Sequence, residues 1–170
     1  AVAPAFFGSA SVTCAASGSV STTAIAASGE SAPGQGAGRV RLYRGRTSWP
    51  MDIATDDAAI NDPSGAFRAS FGTDLACGDV TSDGRADLVA SAPTPDDDGV
   101  VFLFSDIGSL PATPLATLSG GTGGVGHRVK VTDFNGDGIG DVIASRLRGP
   151  LTPAGSVLVW FGRQTWPSAI

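Results

Sequence analysis

Two long segments of the chain repeat one another, and a third segment follows the same spacing. When Phe71-Gly72 and Val125-Gly126 are placed in register, the segments TDLACGDVTSDGRADLVASAP and HRVKVTDFNGDGIGDVIASR follow them without a gap. Phe7-Gly8 aligns in the same way, although the segment after it has lost the charged residues. A unit that recurs at intervals of roughly 20 to 50 residues or slightly more is typical of solenoids and propellers, in which each unit buries its apolar surface against the next. The repeat therefore restricts the chain to a few architectures.

Each unit carries a second marker, which is a glycine followed by β-branched and aromatic residues. The three markers are GRVRLYRG from Gly38, GVVFLFS from Gly99 and GSVLVWFG from Gly155. These residue types favour strands, and turn-forming residues separate each marker from the segment before it. In the middle unit the spacing predicts four strands, near residues 71–78, 87–91, 99–105 and 114–118.

The chain therefore divides into three units, at residues 1–70, 71–124 and 125–170. The first is a degenerate copy, whereas the second and third each keep an acidic loop, and the outer strand of the third unit would begin only at Trp166 and be truncated. Four short antiparallel strands that recur after 64 and 54 residues match the blades of a β-propeller better than a sandwich. The predicted fold is all-β, with about three four-stranded blades. Because a closed ring takes roughly four to eight blades, we expect an incomplete ring or one subunit of a larger assembly.

The composition excludes several classes of protein. The 24 Gly and 11 Pro residues argue against a helical bundle, and 42% hydrophobic against 16% charged residues favours a folded chain over a disordered one. A net charge of −5 without a run of Lys or Arg argues against a nucleic-acid partner. Every hydrophobic run is shorter than the roughly 20 residues that cross a bilayer, so membrane insertion is not expected. The single histidine, His127, excludes a histidine-rich zinc site.

The segment from Asp133 to Asp141 has the spacing of a calcium-binding loop. Oxygen-bearing side chains occupy positions 1, 3, 5 and 9 of this loop, and a glycine occupies position 6. Calcium takes about six to eight oxygen ligands, and the backbone carbonyl at position 7 can supply another. The expected ligands are Asp133, Asn135, Asp137, the carbonyl of Ile139, and Asp141. The alternative is a plain hairpin turn, because Asn-Gly and Asp-Gly are common in tight turns, but a turn leaves the carboxylates at positions 1 and 9 unexplained.

The middle unit carries a second loop of the same kind. Its expected ligands are Asp79, Thr81, Asp83, the carbonyl of Arg85, and Asp87. Because a hydroxyl stands at position 3, we expect this site to bind calcium more weakly than the later one. The first unit has Ala15, Ser17, Ser19 and Thr23 at the corresponding places, so it is expected to bind no ion. The sequence thus predicts about two Ca²⁺ sites.

The combination of FG with DVTSDGRADLVASAP, and the later form DFNGDGIGDVIAS, resembles FG-GAP repeats, the blades of integrin α-chain-like β-propellers. The resemblance is strong from about residue 71 to 162 and weak from 7 to 45. It implies that the ten residues named above are calcium ligands, and that the protein is extracellular or lies at the cell surface. It also implies a role in cell adhesion or carbohydrate binding. The third unit departs from the pattern, because Ser145-Arg146 replaces the Ser91-Ala92-Pro93 of the second.

The expected function is that of a secreted calcium-binding module, in which calcium is structural. Its partner would be a protein or glycan ligand, or further copies or blades of the same assembly. A hydrolase or lyase that acts on an extracellular polymer is the alternative, because propellers also host enzymes. The single histidine and the absence of a GxSxG motif argue against catalysis, and we predict no catalytic residue.

The two cysteines, Cys14 and Cys77, align one position apart on the first strands of neighbouring units. A disulfide between them is sterically conceivable. However, an offset of one position points the two side chains to opposite faces of their strands, which counts against the bridge. Two buried free thiols are the alternative.

Overall fold

The computed structural model describes residues 10–15, 21–29, 38–48, 56–64, 70–94, 99–111, 113–121, 123–147 and 154–170. Within these ranges it contains eleven strands and one 3₁₀ turn, at Ile107–Ser109. The strands are β1 (Ser11–Cys14), β2 (Thr22–Ala27), β3 (Arg39–Arg44), β4 (Ala58–Asn61), β5 (Leu75–Gly78), β6 (Asp87–Ala92), β7 (Val100–Phe104), β8 (Ala116–Ser119), β9 (Val125–Thr132), β10 (Asp141–Arg146) and β11 (Ser156–Trp160).

The strands form three antiparallel sheets in which strands adjacent in sequence pair. Sheet 1 has the order β1-β2-β3-β4, sheet 2 the order β5-β6-β7-β8, and sheet 3 the order β9-β10-β11. The predicted all-β fold is confirmed, and the sheets are consistent with the blades of an incomplete β-propeller. The four strands predicted for the middle unit are β5 to β8, and their bounds differ from the prediction by a few residues. In the part of the chain that the structure describes, no helix is long and apolar enough to span a membrane.

Sheet 2 is buried on both faces because it lies between the other two sheets. All six residues of β6 are buried. Leu88 and Ala90 belong to the apolar cluster that sheet 2 shares with sheet 1, whereas Val89 belongs to the cluster that it shares with sheet 3. Successive side chains of a strand point to opposite faces, so one apolar run serves both interfaces.

The Phe-Gly pair at the start of the middle unit packs between sheets 1 and 2. Phe71 is fully buried, and its ring meets that of Phe102 edge to face, with centroids 5.8 Å apart. Gly72 has a φ of +82°, which side chains disfavour. In the third unit, Val125 is the equivalent buried residue, and its backbone lies against Gly99 so closely that a Cβ on Gly99 would overlap it.

Cys14 and Cys77 form a disulfide, so the expectation that their offset counts against a bridge is wrong. Their Cα atoms are 5.9 Å apart, which is within the range that a disulfide spans. Strand pairing places Cys14 opposite Thr22 and Gly78 opposite Asp87, so Cys14 corresponds to Gly78, one position after Cys77. The offset is real, but sheets 1 and 2 stack face to face. A side chain of sheet 1 that reaches sheet 2 lies on one face of its strand, and a side chain of sheet 2 that reaches sheet 1 lies on the opposite face of the equivalent strand. Because successive residues of a strand point to opposite faces, an offset of one position gives this arrangement. The bridge therefore requires the offset.

The same pairing corrects the alignment of the first unit. Thr22, and not Thr23, takes the place of Asp87, because the turn between β1 and β2 is one residue shorter than the turn between β5 and β6. Thr22 is buried, as Asp87 is. Of the other first-unit positions, Ala15 lies in the described part of the chain, whereas Ser17, Ser19 and the Phe7-Gly8 pair lie outside it.

The last described segment does not add a fourth strand to sheet 3. Ala169 bridges Thr117 in parallel, and the Thr117 backbone N–H donates to the Ser168 carbonyl at 3.0 Å. The Ser119 backbone N–H donates to the carbonyl of Ile170 at 2.7 Å. The segment in which the sequence predicts the start of an outer strand for sheet 3 therefore lines the outer edge of sheet 2.

Candidate metal-binding loops

The two acidic loops occupy equivalent places in sheets 2 and 3. Each connects the first strand of its sheet to the second: residues 79–86 join β5 to β6, and residues 133–140 join β9 to β10. The loops touch, because the Gly140 backbone N–H donates to the Asp79 carbonyl at 2.9 Å. The predicted loop residues of both units are thus brought to the same side of neighbouring sheets.

In the later loop, Asp133 organises the turn by accepting backbone hydrogen bonds. Its Oδ1 accepts from Gly136 N at 2.7 Å and from Asp137 N at 3.1 Å, and its Oδ2 accepts from Gly138 N at 2.9 Å. Gly136 and Gly138 have φ values of +81° and +87°, which glycine adopts without steric cost. The glycine at position 6 therefore has the turn-forming role that the spacing predicts. The carboxylate at position 1, which the sequence predicts as a calcium ligand, also organises the turn.

Asn135 and Asp137 lie side by side on the exposed surface of this loop. The Asn135 amide donates to Asp137 Oδ2 at 2.9 Å, and Asp137 Oδ1 accepts from the Ile139 backbone N–H at 2.8 Å. The Asn135 carbonyl oxygen accepts from Asp137 N at 3.0 Å. The oxygens at positions 3 and 5 are therefore adjacent in space and accessible to solvent.

Asp141, at position 9, is fully buried at the start of β10. Its Oδ2 accepts from the backbone N–H groups of Phe134, at 2.8 Å, and Asn135, at 3.3 Å. Its Oδ1 accepts from Gly162 N at 2.8 Å. Asp141 thus ties the acidic loop to the segment that follows β11, and backbone dipoles stabilise its buried negative charge.

The loop of the middle unit has the same plan with one difference. Asp79 accepts from Asp83 N at 3.1 Å and from Gly84 N at 2.8 Å, and Asp83 Oδ1 accepts from Arg85 N at 2.8 Å. The hydroxyl of Thr81, however, donates to Asp87 Oδ2 at 3.0 Å, and Thr81 is buried. The side chain at position 3 therefore turns away from Asp79 and toward the strand.

Asp87 is the buried counterpart of Asp141. It accepts from the backbone N–H groups of Val80, Thr81 and Asp106 at 2.9, 3.0 and 2.9 Å. Burial raises the pKa of Asp87 above its ordinary value, and the hydrogen bonds from Asp106, Val80 and Thr81 offset part of that rise. The charge of Asp83 adds to the increase.

The donor chemistry of both loops suits a hard cation, but their carboxylates are spread along the turn. Within the described ranges, no three His, Cys, Asp or Glu side chains are grouped so that they could hold a metal ion as they stand. The exposed oxygens are those at positions 1, 3 and 5 of the later loop and at positions 1 and 5 of the earlier one. An ion would have to draw these oxygens together. The exposed side chains that could move to do so are those at positions 3 and 5 of the later loop and at position 5 of the earlier one.

Sequence reasoning missed two residues that position the loops. Asp106, just after β7, donates its backbone N–H to Asp87 and accepts from the Arg85 guanidinium at 2.5 Å through its side chain. Gly162 is its counterpart after β11. The signal available in the sequence is their equivalent position, two residues after the end of each marker strand.

The sequence model of the FG-GAP repeat matches residues 71–104. This span runs from Phe71 through the acidic loop to the end of β7. No curated protein matches the chain significantly. The resemblance to FG-GAP repeats is therefore confirmed for residues 71–104 of the middle unit.

Proposed function

We propose that the chain is an extracellular calcium-binding module of the integrin-like β-propeller type, in which calcium is structural. The single observation that carries the proposal is the joining of the two acidic loops through the hydrogen bond from Gly140 N to the Asp79 carbonyl. Ions in both loops would hold sheets 2 and 3 together at this contact. The module would then present a rigid surface for a protein or glycan ligand, for adhesion, or for assembly with further copies or blades.

In the later loop the ion would be held by Asp133, Asn135, Asp137, the carbonyl of Ile139, and Asp141. A carboxylate offers about four lone-pair directions, and Asp133 uses three of them for backbone hydrogen bonds. Asp137 accepts two hydrogen bonds, one of them from the Asn135 amide. An ion would replace the hydrogen bond from the Asn135 amide to Asp137, because rotation of the Asn135 side chain turns its carbonyl oxygen toward the cation. Asp141 Oδ1 accepts one hydrogen bond and keeps a free direction.

In the earlier loop the ion would be held by Asp79, Asp83 and the carbonyl of Arg85, with Thr81 and Asp87 as the remaining candidates. The Thr81 hydroxyl is engaged by Asp87, so its use as a ligand would cost a buried hydrogen bond. This supports the weaker affinity expected from the sequence. The later loop is therefore proposed as the stronger of two sites.

Calcium should stabilise the folded chain by mass action. Extracellular calcium modules have dissociation constants of about 0.1 to 1 mM, so calcium at about 2 mM would add roughly 0.6 to 1.8 kcal/mol for each site. For a chain of this length such a gain raises the melting temperature by about 2 to 5 °C for each site. The effect is large enough to resolve the two loops separately.

The test is thermal unfolding with calcium, with magnesium and with EDTA. We expect calcium to raise the melting temperature of the wild type, magnesium to raise it less, and Asp133→Asn with Asp137→Asn to remove most of the effect. Asp56→Asn is the matched control, because Asp56 pairs with Arg41 in sheet 1 at 3.4 Å, away from both loops. Equal melting temperatures in calcium and in EDTA would refute the proposal. Light scattering under the same conditions separates calcium-dependent assembly from a stable monomer that binds another ligand.

A further inference from the structure

Asn135 precedes a glycine at the exposed tip of the later loop. The chain has two asparagines, Asn61 and Asn135, and Asn135 is the one that a glycine follows. Asn135 and Gly136 are both exposed, and a Cβ built on Gly136 would meet no atom within 4 Å. No neighbouring group therefore crowds the chain at this point. An asparagine side chain in such a place can react with the backbone nitrogen of the next residue.

The loop holds the Asn135 side chain beside the Gly136 nitrogen. The Asn135 carbonyl oxygen accepts from Asp137 N at 3.0 Å, and the ring of atoms that this hydrogen bond closes contains the Gly136 nitrogen. A second hydrogen bond, from the Asn135 amide to Asp137 Oδ2 at 2.9 Å, fixes the orientation of the side-chain amide. The groups that would react are thus held together before the reaction, which favours an intramolecular attack.

The loop also supplies the two polar partners that this attack needs. The Gly136 nitrogen must lose its proton, and Asp133 Oδ1 already accepts a hydrogen bond from this N–H at 2.7 Å. Negative charge then develops on the Asn135 carbonyl oxygen, and the Asp137 backbone N–H donates to that oxygen. The earlier loop has no equivalent reaction, because Thr81 stands at position 3.

We propose that Asn135 is a site of self-modification, at which the loop promotes spontaneous deamidation. The Gly136 nitrogen forms a bond to Cγ of Asn135 and the bond from Cγ to Nδ2 breaks. The side-chain nitrogen leaves as ammonia, together with the proton lost by Gly136. Water then opens the resulting succinimide ring and leaves aspartate or isoaspartate in place of Asn135. The reaction consumes water and releases ammonia, and nothing is oxidised or reduced.

Deamidation would change the proposed calcium site, and this consequence rests on the proposed function. Aspartate at position 3 adds a charged ligand, so calcium should bind more tightly. Without calcium, the new carboxylate would repel Asp137, whereas the Asn135 amide now donates to it. Asn135→Asp, which reproduces this product, should therefore have a lower melting temperature than wild type in EDTA and a smaller calcium dissociation constant. Isoaspartate lengthens the backbone by a methylene group and should disrupt the loop.

The test is incubation of the purified protein in EDTA at neutral pH, followed by tryptic digestion and mass spectrometry. Deamidation exchanges an amide for a carboxyl group and so raises the mass of peptide 131–146, which contains Asn135. Asn61, in peptide 47–68, is also exposed and serves as the internal control. We expect Asn135 to react at least about tenfold faster than Asn61, because a positioned donor to a developing oxyanion changes rates by at least that factor. It should also react faster in the folded chain than in urea, where the loop contacts are lost.

A pair of variants tests whether the carboxylate of Asp133 takes part. Asp133→Asn keeps an oxygen that can accept the backbone hydrogen bonds of the turn, but this oxygen is far less basic, so the reaction of Asn135 should slow toward its rate in urea. Fragment spectra assign the modified position within the peptide. Asp56→Asn, the same substitution in sheet 1, should leave the rate at Asn135 unchanged.

The proposal is overturned if Asn135 reacts no faster than Asn61, if urea accelerates its reaction, or if Asp133→Asn leaves the rate of the folded chain unchanged. The consequence for calcium is wrong if Asn135→Asp binds calcium no more tightly than wild type does. If neither protein binds calcium, the proposed function fails, whereas the deamidation rates, which are measured in EDTA, still decide the present proposal.

Discussion

Removal of the disulfide between Cys14 and Cys77 should cost a large part of the stability of the chain. The bridge joins residues 63 positions apart and links the first strands of sheets 1 and 2. In the chain-entropy model, a closed loop of this length lowers the conformational entropy of the unfolded chain. The bridge thereby raises the free energy of unfolding by about 4 kcal/mol at 25 °C. Divided by an unfolding entropy of roughly 0.36 kcal/mol/K for this chain length, the loss corresponds to a fall in melting temperature of about 11 °C.

The assay is urea denaturation with and without a reducing agent, in EDTA so that calcium does not contribute. The variant Cys14→Ala with Cys77→Ala is the control, because reductant should not change its stability. Cys14 is buried, so the variant should be slightly less stable than the reduced wild type. The reasoning is refuted if protein that is purified and denatured without reductant contains two free thiols, because the disulfide is then absent. It is also refuted if reduction changes the free energy of unfolding by less than about 1 kcal/mol.

Two other substitutions test the packing and the buried charge. Gly99→Ala should destabilise by about 1 to 3 kcal/mol or more in urea denaturation, because its Cβ would overlap the Val125 backbone. Gly121→Ala, which meets no neighbour and adds only backbone strain at a φ of +69°, should cost about 1 kcal/mol, and equal losses would contradict the packing argument. For Asp87, burial raises the pKa, so the folded chain takes up a proton before the unfolded chain does. We therefore compare the free energy of unfolding of wild type and Asp87→Asn in EDTA. The wild type should gain stability relative to the variant as the pH falls from neutral toward 3.8, the ordinary aspartate pKa. A relative loss would show that the pKa shift has the opposite sign.

The strands and the loops could be predicted because their signals are local. The marker strand Val100–Phe104 is a continuous run of β-branched, leucine and aromatic residues after a glycine, and such a run fits a strand that is covered on both faces. The turn at Gly138 follows in the same way from a glycine between acidic residues. Neither inference needs knowledge of a distant part of the chain.

The features that could not be predicted depend on how the sheets stack. The disulfide offset can be interpreted only when sheets 1 and 2 are known to face one another across Cys14 and Cys77. The role of Thr81 depends on the buried carboxylate of Asp87, which a count of loop positions treats as a ligand like the others. The parallel pairing of Ala169 with Thr117 joins residues of different units, and no local pattern marks it.

Calcium stoichiometry, measured by equilibrium dialysis at millimolar calcium, tests the central claim most directly. We predict about two ions for each wild-type chain, and about one for Asp133→Asn with Asp137→Asn. We also predict about one for Asp79→Asn with Asp83→Asn, and in that variant the remaining ion should be the more tightly bound. No bound calcium in the wild type, or the same stoichiometry in all three proteins, would contradict the account.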